Sequence, residues 1–237
     1  MRSPVLFIPI LSTAFAAFFT VALIARFRAK GGPHLLWWGL GTLTYALGTA
    51  TEAATTLFGW HAPVFRLWYI TGALLGGAPL AQGTVYLLLP RRTANRLTVV
   101  LVSVIAAAAL CVLLSPLRLD LVETHRLSGR VLGWQWVRAF SPFINTYALI
   151  FLVGGAAFSA WRYARRGDAA YRAVGNTLIA VGSLLPGIGG TFTRFGHVEV
   201  LYVTEFIGLC LLWAGYRIIV TRSSPGVPHV PQPVPAH

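Results

Sequence analysis

Apolar stretches long enough to cross a bilayer follow one another along almost the whole chain. A membrane-spanning helix needs about 20 predominantly apolar residues, and these runs are continuous instead of alternating with period two, which favours helices over barrel strands. The predicted spans cover residues 4–26, 34–58, 64–89, 97–116, 138–161, 171–193 and 200–220. The pattern therefore predicts an all-α integral membrane protein built as a seven-transmembrane helix bundle.

The composition agrees with lipid as the main solvent of this surface. Hydrophobic residues make up 56% of the chain and charged residues only 11%, whereas soluble domains carry about 25% charged residues. Spans and short loops fill residues 1–222, so we expect one membrane domain there. Residues 223–237 are rich in proline and are predicted to form a disordered cytoplasmic tail.

The basic residues predict an orientation. Of the 19 Lys and Arg residues, 12 fall in alternate connections and the tail: Arg26, Arg28, Lys30, Arg91, Arg92, Arg96, Arg162, Arg165, Arg166, Arg172, Arg217 and Arg222. The bias of Lys and Arg toward the cytoplasm then places the N-terminus outside and the C-terminus inside, in a multi-pass protein of the cell membrane. Because the bases cluster at helix ends, the net charge of +13 indicates membrane lipids as partners and no nucleic acid.

Two acids inside spans are the strongest candidates for a functional site. Glu52 and Glu205 lie five to six residues inside the outer ends of the second and seventh spans, so both are expected on the order of 8–10 Å below the outer surface. Ionisable groups at membrane depth are costly and by default face a functional interior. The candidate ligand-binding residues at this level are Glu52, Arg66, Tyr69, Asn145, Arg194, Tyr202 and Glu205.

A purely structural role for the same charges stays open. Arg66 could pair with Glu52 across the second and third spans, and Arg194 with Glu205 across the sixth and seventh. Such buried pairs orient helices even where they add little stability. Glycine and proline in the third and sixth spans predict kinks there, at Gly76, Gly77 and Pro186 among others.

Several kinds of cofactor chemistry are not indicated. The one lysine, Lys30, lies in a loop, so a retinal Schiff base is not expected. The histidines lie at span ends, in loops or in the tail, which argues against intramembrane haem, and no His, Asp or Glu cluster predicts a metal site. We expect no cofactor, and the absence of a recognisable catalytic grouping favours a function other than catalysis.

A resemblance to a known family lies in the second and third spans. The run from Trp38 to Glu52, WGLGTLTYALGTATE, is followed by RLWYITG from Arg66 to Gly72. Together they resemble the seven-helix sensor region found N-terminal to many bacterial histidine kinases and diguanylate cyclases. The resemblance implies a sensor of the bacterial inner membrane whose ligand enters between the helices. Since the chain ends after the seventh span, any signal would pass to a separate partner.

The function expected from these patterns is that of a receptor-like sensor. It would bind a small or lipidic ligand in the outer half of the bundle and signal to a cytoplasmic partner. A transporter or channel subunit is one alternative. It predicts polar residues that continue into the inner half, and Gln82 and Asn176 are the only obvious candidates there, which argues against a full pathway. An accessory subunit or a lipid-acting enzyme, with Glu52 or Glu205 as acid or base, is another.

Overall fold

The computed structural model describes residues 4–124, 126–166, 169–193 and 195–222. Arg194 and the tail from Ser223 to His237, on both of which the sequence made predictions, lie outside these residues. The described chain is helical and includes seven long helices. They are α1 (Ile8–Lys30), α2 (Pro33–Phe58), α3 (Ala62–Leu88), α4 (Arg91–Leu114), α5 (Gln135–Arg166), α6 (Ala170–Thr193) and α7 (Val198–Arg222).

Six of these helices are long and apolar enough to cross a membrane, as a multi-pass membrane protein requires. They are α1 and α3 to α7. The remaining helix, α2, has 26 residues, which at 1.5 Å per residue exceeds the hydrocarbon thickness. Threonines, glycines and Glu52 lower its mean hydropathy, and most of these polar residues are buried by the neighbouring helices. The predicted all-helical fold is confirmed for the described residues, and six helices of membrane-spanning length and composition fit a multi-pass membrane protein.

The helices extend beyond the apolar runs at their basic ends. α4 begins at Arg91 and α5 ends at Arg166, several residues outside the predicted spans 97–116 and 138–161. Arginine has a good helix propensity and a long side chain that reaches water from the end of a span. The hydrophobic pattern therefore predicted which segments are helical better than it predicted where they end.

The helices close into a ring in which α1 packs against both α2 and α7. α2 packs on α3, α3 on α5, α5 on α6 and α6 on α7, while α4 lies against α3 and the first part of α5. Glycines bring α6 and α7 together: a Cβ added to Gly215 would lie 2.4 Å from the carbonyl oxygen of Gly175, and one on Gly182 2.6 Å from that of Gly208. Small residues of this kind permit close contact between membrane helices.

Two helices contain π-helical turns. The segment Tyr69–Leu75 interrupts α3, and the segment Leu149–Gly154 interrupts α5. Directly after the first segment, Gly76 has φ +43°, a conformation that an L side chain rarely adopts, and α3 resumes at Ala78. The predicted interruption of the third span is thus present. Pro186, by contrast, lies inside the continuous helix α6.

The connection between α4 and α5 folds over one end of the bundle. Short 3₁₀ turns at Leu119–Leu121 and Gly129–Val131 position Val131 and Leu132, which are buried against Phe65, Tyr69 and Leu74 of α3. Arg126 of this connection donates to the carbonyl oxygen of Thr193 at the end of α6, at 2.7 Å. The connection therefore ties α3, α4 and α6 together at the end nearest Glu52 and Glu205.

Candidate functional site

Glu52 of α2 and Glu205 of α7 meet in the interior of the bundle. Their side-chain carboxyl groups lie within hydrogen-bonding distance of each other. Glu52 is 6% exposed, while Glu205 is half-buried as a whole residue with its carboxyl group turned inward. We call these two residues the carboxyl pair. A hydrogen bond between two carboxyl groups needs a proton on one of them, so in this arrangement the pair carries at most one negative charge.

The pair is held by aromatic side chains from three helices. Nε1 of Trp68 on α3 donates to Oε1 of Glu52 at 3.1 Å. The hydroxyl of Tyr45 on α2 donates to the backbone carbonyl oxygen of Glu205 at 2.9 Å. Tyr202 on α7 lies beside both carboxyl groups and is hydrogen-bonded to the side chain of Thr56. These contacts hold α2, α3 and α7 together around the carboxyl pair.

The pair has no cationic partner among the residues that the structure describes. The ion pairs found there join Arg118 to Asp120 and Arg126 to Glu123, both in the connection between α4 and α5. Oε2 of Glu52 is buried and receives no hydrogen bond from the N–H and O–H groups of the described chain, other than what the carboxyl of Glu205 can supply. The carboxyl group of Glu205 is therefore the one hydrogen-bond donor within the described chain that can reach Oε2 of Glu52.

The structure distributes the predicted site residues over separate places. It brings Glu52, Tyr202 and Glu205 together. Arg66 is directed elsewhere, because its guanidinium donates to the carbonyl oxygens of Leu113 at 2.7 Å and Ser115 at 3.1 Å. The expected pairing of Arg66 with Glu52 is thus not formed, since unsatisfied carbonyls at the C-terminus of α4 are a good alternative partner for a cation.

Tyr69 and Asn145 also lie apart from the carboxyl pair. Tyr69 is buried in the apolar cluster beneath the connection between α4 and α5. Nδ2 of Asn145 donates to the carbonyl oxygen of Ala73 at 3.2 Å, within the π-helical segment of α3. Sequence depth alone predicted that these residues share a level, but it could not predict which face of each helix they occupy.

A second polar cluster, centred on the buried Gln82, joins α3, α4 and α5 toward the end of the bundle opposite the connection between α4 and α5. Nε2 of Gln82, which is fully buried, donates to Thr98 Oγ1 at 2.8 Å and to the carbonyl oxygen of Ala94 at 3.2 Å. Its Oε1 accepts a hydrogen bond from the hydroxyl of Tyr147. Tyr86 extends the cluster to Thr98 and Asn95, at 2.9 Å each. We call Gln82, Tyr86, Asn95, Thr98 and Tyr147 the Gln82 network.

Sequence reasoning missed Trp68 and Tyr45 as parts of the site. Trp68 lies near the start of the third predicted span, a position typical of interfacial anchors, and its indole N–H donates to Glu52. A signal for Tyr45 existed, because Tyr45, Thr49, Glu52 and Thr56 recur at spacings of three and four residues. That periodicity puts polar groups on one helix face inside an apolar span.

Comparisons of the chain with protein-family models, with curated proteins and with solved structures find no match. The geometry of the carboxyl pair and its surroundings is therefore the basis for a functional proposal. The described residues contain no group of three or more His, Cys, Asp or Glu side chains that could hold a metal ion.

Proposed function

We propose that the chain is a receptor-like membrane sensor that binds its ligand at the carboxyl pair and signals to a separate cytoplasmic partner. In this proposal all seven long helices cross the membrane, with the N-terminus outside, as the distribution of Lys and Arg favours. The carboxyl pair then lies in the outer half of the bundle. The observation that carries the proposal is the contact between two buried acids that have no cation beside them among the described residues, which do not include Arg194.

The chemistry of the pair favours a ligand with a positive charge or strong hydrogen-bond donors. Acids at membrane depth are costly, so by default they mark a functional site. A protonated amine would replace the shared proton and donate to Oε2 of Glu52, and its positive charge would take the place of the charge of that proton. The rings of Trp68, Tyr45 and Tyr202 around the site suit an organic ammonium group, which aromatic faces attract.

The same geometry suggests how binding could move helices. The two sequence stretches that resemble bacterial sensor regions meet at this site: Glu52 contacts Trp68, and a Cβ on Gly48 would lie 3.4 Å from Cα of Gly72. A ligand between the carboxyl groups must separate α2 from α7. Because α7 continues to Arg222 at the proposed cytoplasmic end, displacement of its outer half can be transmitted to a partner there.

Thermal unfolding of the purified protein in nanodiscs, with primary alkylamines and matched alcohols, tests this proposal. We expect amines to raise the unfolding temperature of the native protein more than alcohols do, because a ligand that binds the folded state stabilises it. The response is expected to disappear in Glu52→Gln and in Glu205→Gln. Glu199→Gln is the matched control, since Glu199 is an exposed acid in the first turn of α7.

Two outcomes would contradict the proposal. Equal shifts by amines and alcohols would mean that the charge of the pair plays no part in binding. Loss of the response in Glu199→Gln would mean that surface charge, and not the carboxyl pair, attracts the amine. Spin labels at residues 30 and 222 would report in addition whether the amine changes the distance between the ends of α1 and α7.

The Gln82 network favours a second candidate function, a transporter. Polar residues that continue into the inner half are what a transport pathway predicts, and α3 carries both Trp68 and Gln82 on either side of its interruption at Gly76. Broken helices of this kind commonly bear substrate sites in transporters. Uptake of a radiolabelled amine into proteoliposomes would favour transport, whereas binding without uptake would favour the sensor.

A further inference from the structure

An open cleft lies between the first turns of α6 and the last turns of α7, at the end of the bundle opposite the connection between α4 and α5. Its volume is about 250 Å³, and Ala170, Tyr171, Val174, Ile218 and Arg222 line it. We call it the arginine cleft. Ala170, Val174 and Ile218 make the floor of the cleft apolar. Because Val174 is 52% exposed, this floor is continuous with the apolar outer surface of the bundle. Its rim carries the guanidinium of Arg222.

A second guanidinium is held next to this cleft by tyrosines of two helices. Nε of Arg172 donates to the hydroxyl of Tyr171 at 3.1 Å, and Nη1 donates to the hydroxyl of Tyr163 on α5 at 3.2 Å. The guanidinium carbon lies 5.4 Å from the ring centroid of Tyr163 and 5.7 Å from that of Tyr171. These contacts orient Arg172 beside a residue that lines the cleft, while Nη2 makes no hydrogen bond within the described chain.

The positive charge at this end is not compensated by acids in the described part of the chain. The arginines in the last turns of α5, the first turn of α6 and the last turns of α7 are Arg162, Arg165, Arg166, Arg172, Arg217 and Arg222. Both ion pairs of the described residues lie at the opposite end, and Asp168 is the one acid whose sequence position falls here. An anion is therefore the partner that this end attracts.

We infer that the arginine cleft binds an anionic phospholipid of the adjacent leaflet, with the phosphate between Arg172 and Arg222 and an acyl chain along Val174 and Ile218. Guanidinium groups match the planar, bidentate acceptor geometry of phosphate better than ammonium groups do. Basic pockets between membrane helices are known to suit anionic headgroups. A lipid, unlike free phosphate, also covers the apolar floor. The inference is independent of the carboxyl pair and of its ligand.

Native mass spectrometry of the purified full chain, titrated with phosphatidylglycerol or with phosphatidylcholine, tests the site. We expect the native protein to bind phosphatidylglycerol more tightly. Each guanidinium near an anionic headgroup contributes about a fivefold gain in affinity. The double variant Arg172→Gln with Arg222→Gln is therefore expected to bind phosphatidylglycerol about 30-fold more weakly. Arg118→Gln with Arg130→Gln, exposed arginines at the opposite end, is the matched control.

A variant that keeps all charges separates the cleft from general electrostatic attraction. Val174→Phe fills the apolar floor and is expected to weaken phosphatidylglycerol binding while leaving the arginines in place. Equal affinity for the two lipids, an equal loss in the control variant, or unchanged binding in Val174→Phe would each overturn the inference. So would competition by inorganic phosphate as effective as that by the lipid, because the acyl chain would then contribute nothing.

Discussion

Two polar clusters in the described part of the bundle, the Gln82 network and the carboxyl pair, differ in charge and in the pairing of their atoms. In the Gln82 network, the side-chain amide of Gln82 gives its hydrogen bonds to Thr98 and Ala94 and receives one from Tyr147, and every group is neutral. In the carboxyl pair, Glu52 and Glu205 face each other without a cation in the described chain. Both clusters involve α3, and the turn at Gly76 lies between them.

This difference distinguishes a polar cluster that stabilises helix packing from one that is suited to bind a ligand. A neutral, fully paired network stabilises the contact between helices, because the alternative is an unsatisfied amide in an apolar interior. A pair of acids contributes little to such a contact and is costly at membrane depth. The first cluster should therefore respond to mutation as a stability element, and the second as a binding element.

The largest effect on stability is expected from Gln82→Leu. Leucine has a similar volume but removes three hydrogen bonds and leaves the hydroxyl of Tyr147 without its acceptor. We expect a loss of about 2 kcal/mol in the free energy of unfolding, measured by denaturant titration in detergent micelles. Asn176→Leu is the matched control, because within the described chain Nδ2 of Asn176 bonds only to the carbonyl oxygen of Arg172 one turn away. An equal loss in both variants would contradict a special role of the network.

A smaller loss is expected where α3 turns between the two clusters. In Gly76→Ala the alanine would have to keep the positive φ of Gly76, and its Cβ would lie 2.6 Å from Oδ1 of Asn145. We expect the free energy of unfolding to fall by about 1–2 kcal/mol. Gly187→Ala in α6 is the control, since a Cβ there meets nothing within 4 Å and alanine favours the helix by up to about 1 kcal/mol. Opposite signs for the two variants would confirm the difference between the sites.

Particular residues show how far the sequence could predict this architecture. Continuous apolar runs suffice to predict the helical segments, because a lipid-exposed backbone must pair within itself. The same argument singled out Glu52 and Glu205 by their cost. It could not predict that Arg66 binds the end of α4, or that Asn145 bonds the π-helical segment of α3. Those contacts depend on the rotation of each helix and on a local departure from α-helical geometry, neither of which hydropathy records.

The smallest effect on stability, expected from Glu52→Gln, distinguishes the clusters most directly. Glutamine retains an acceptor for Nε1 of Trp68, and its amide can donate to the carboxylate of Glu205. The hydrogen bonds of the site therefore survive, and we expect the free energy of unfolding to change by about 0.5 kcal/mol or less. Glu52→Leu is the contrasting variant, because it leaves the indole N–H of Trp68 without its acceptor and is expected to cost about 1–2 kcal/mol. If Glu52→Gln destabilised the protein as much as Gln82→Leu, the negative charge itself would be holding the helices together, and the carboxyl pair would belong with the structural cluster.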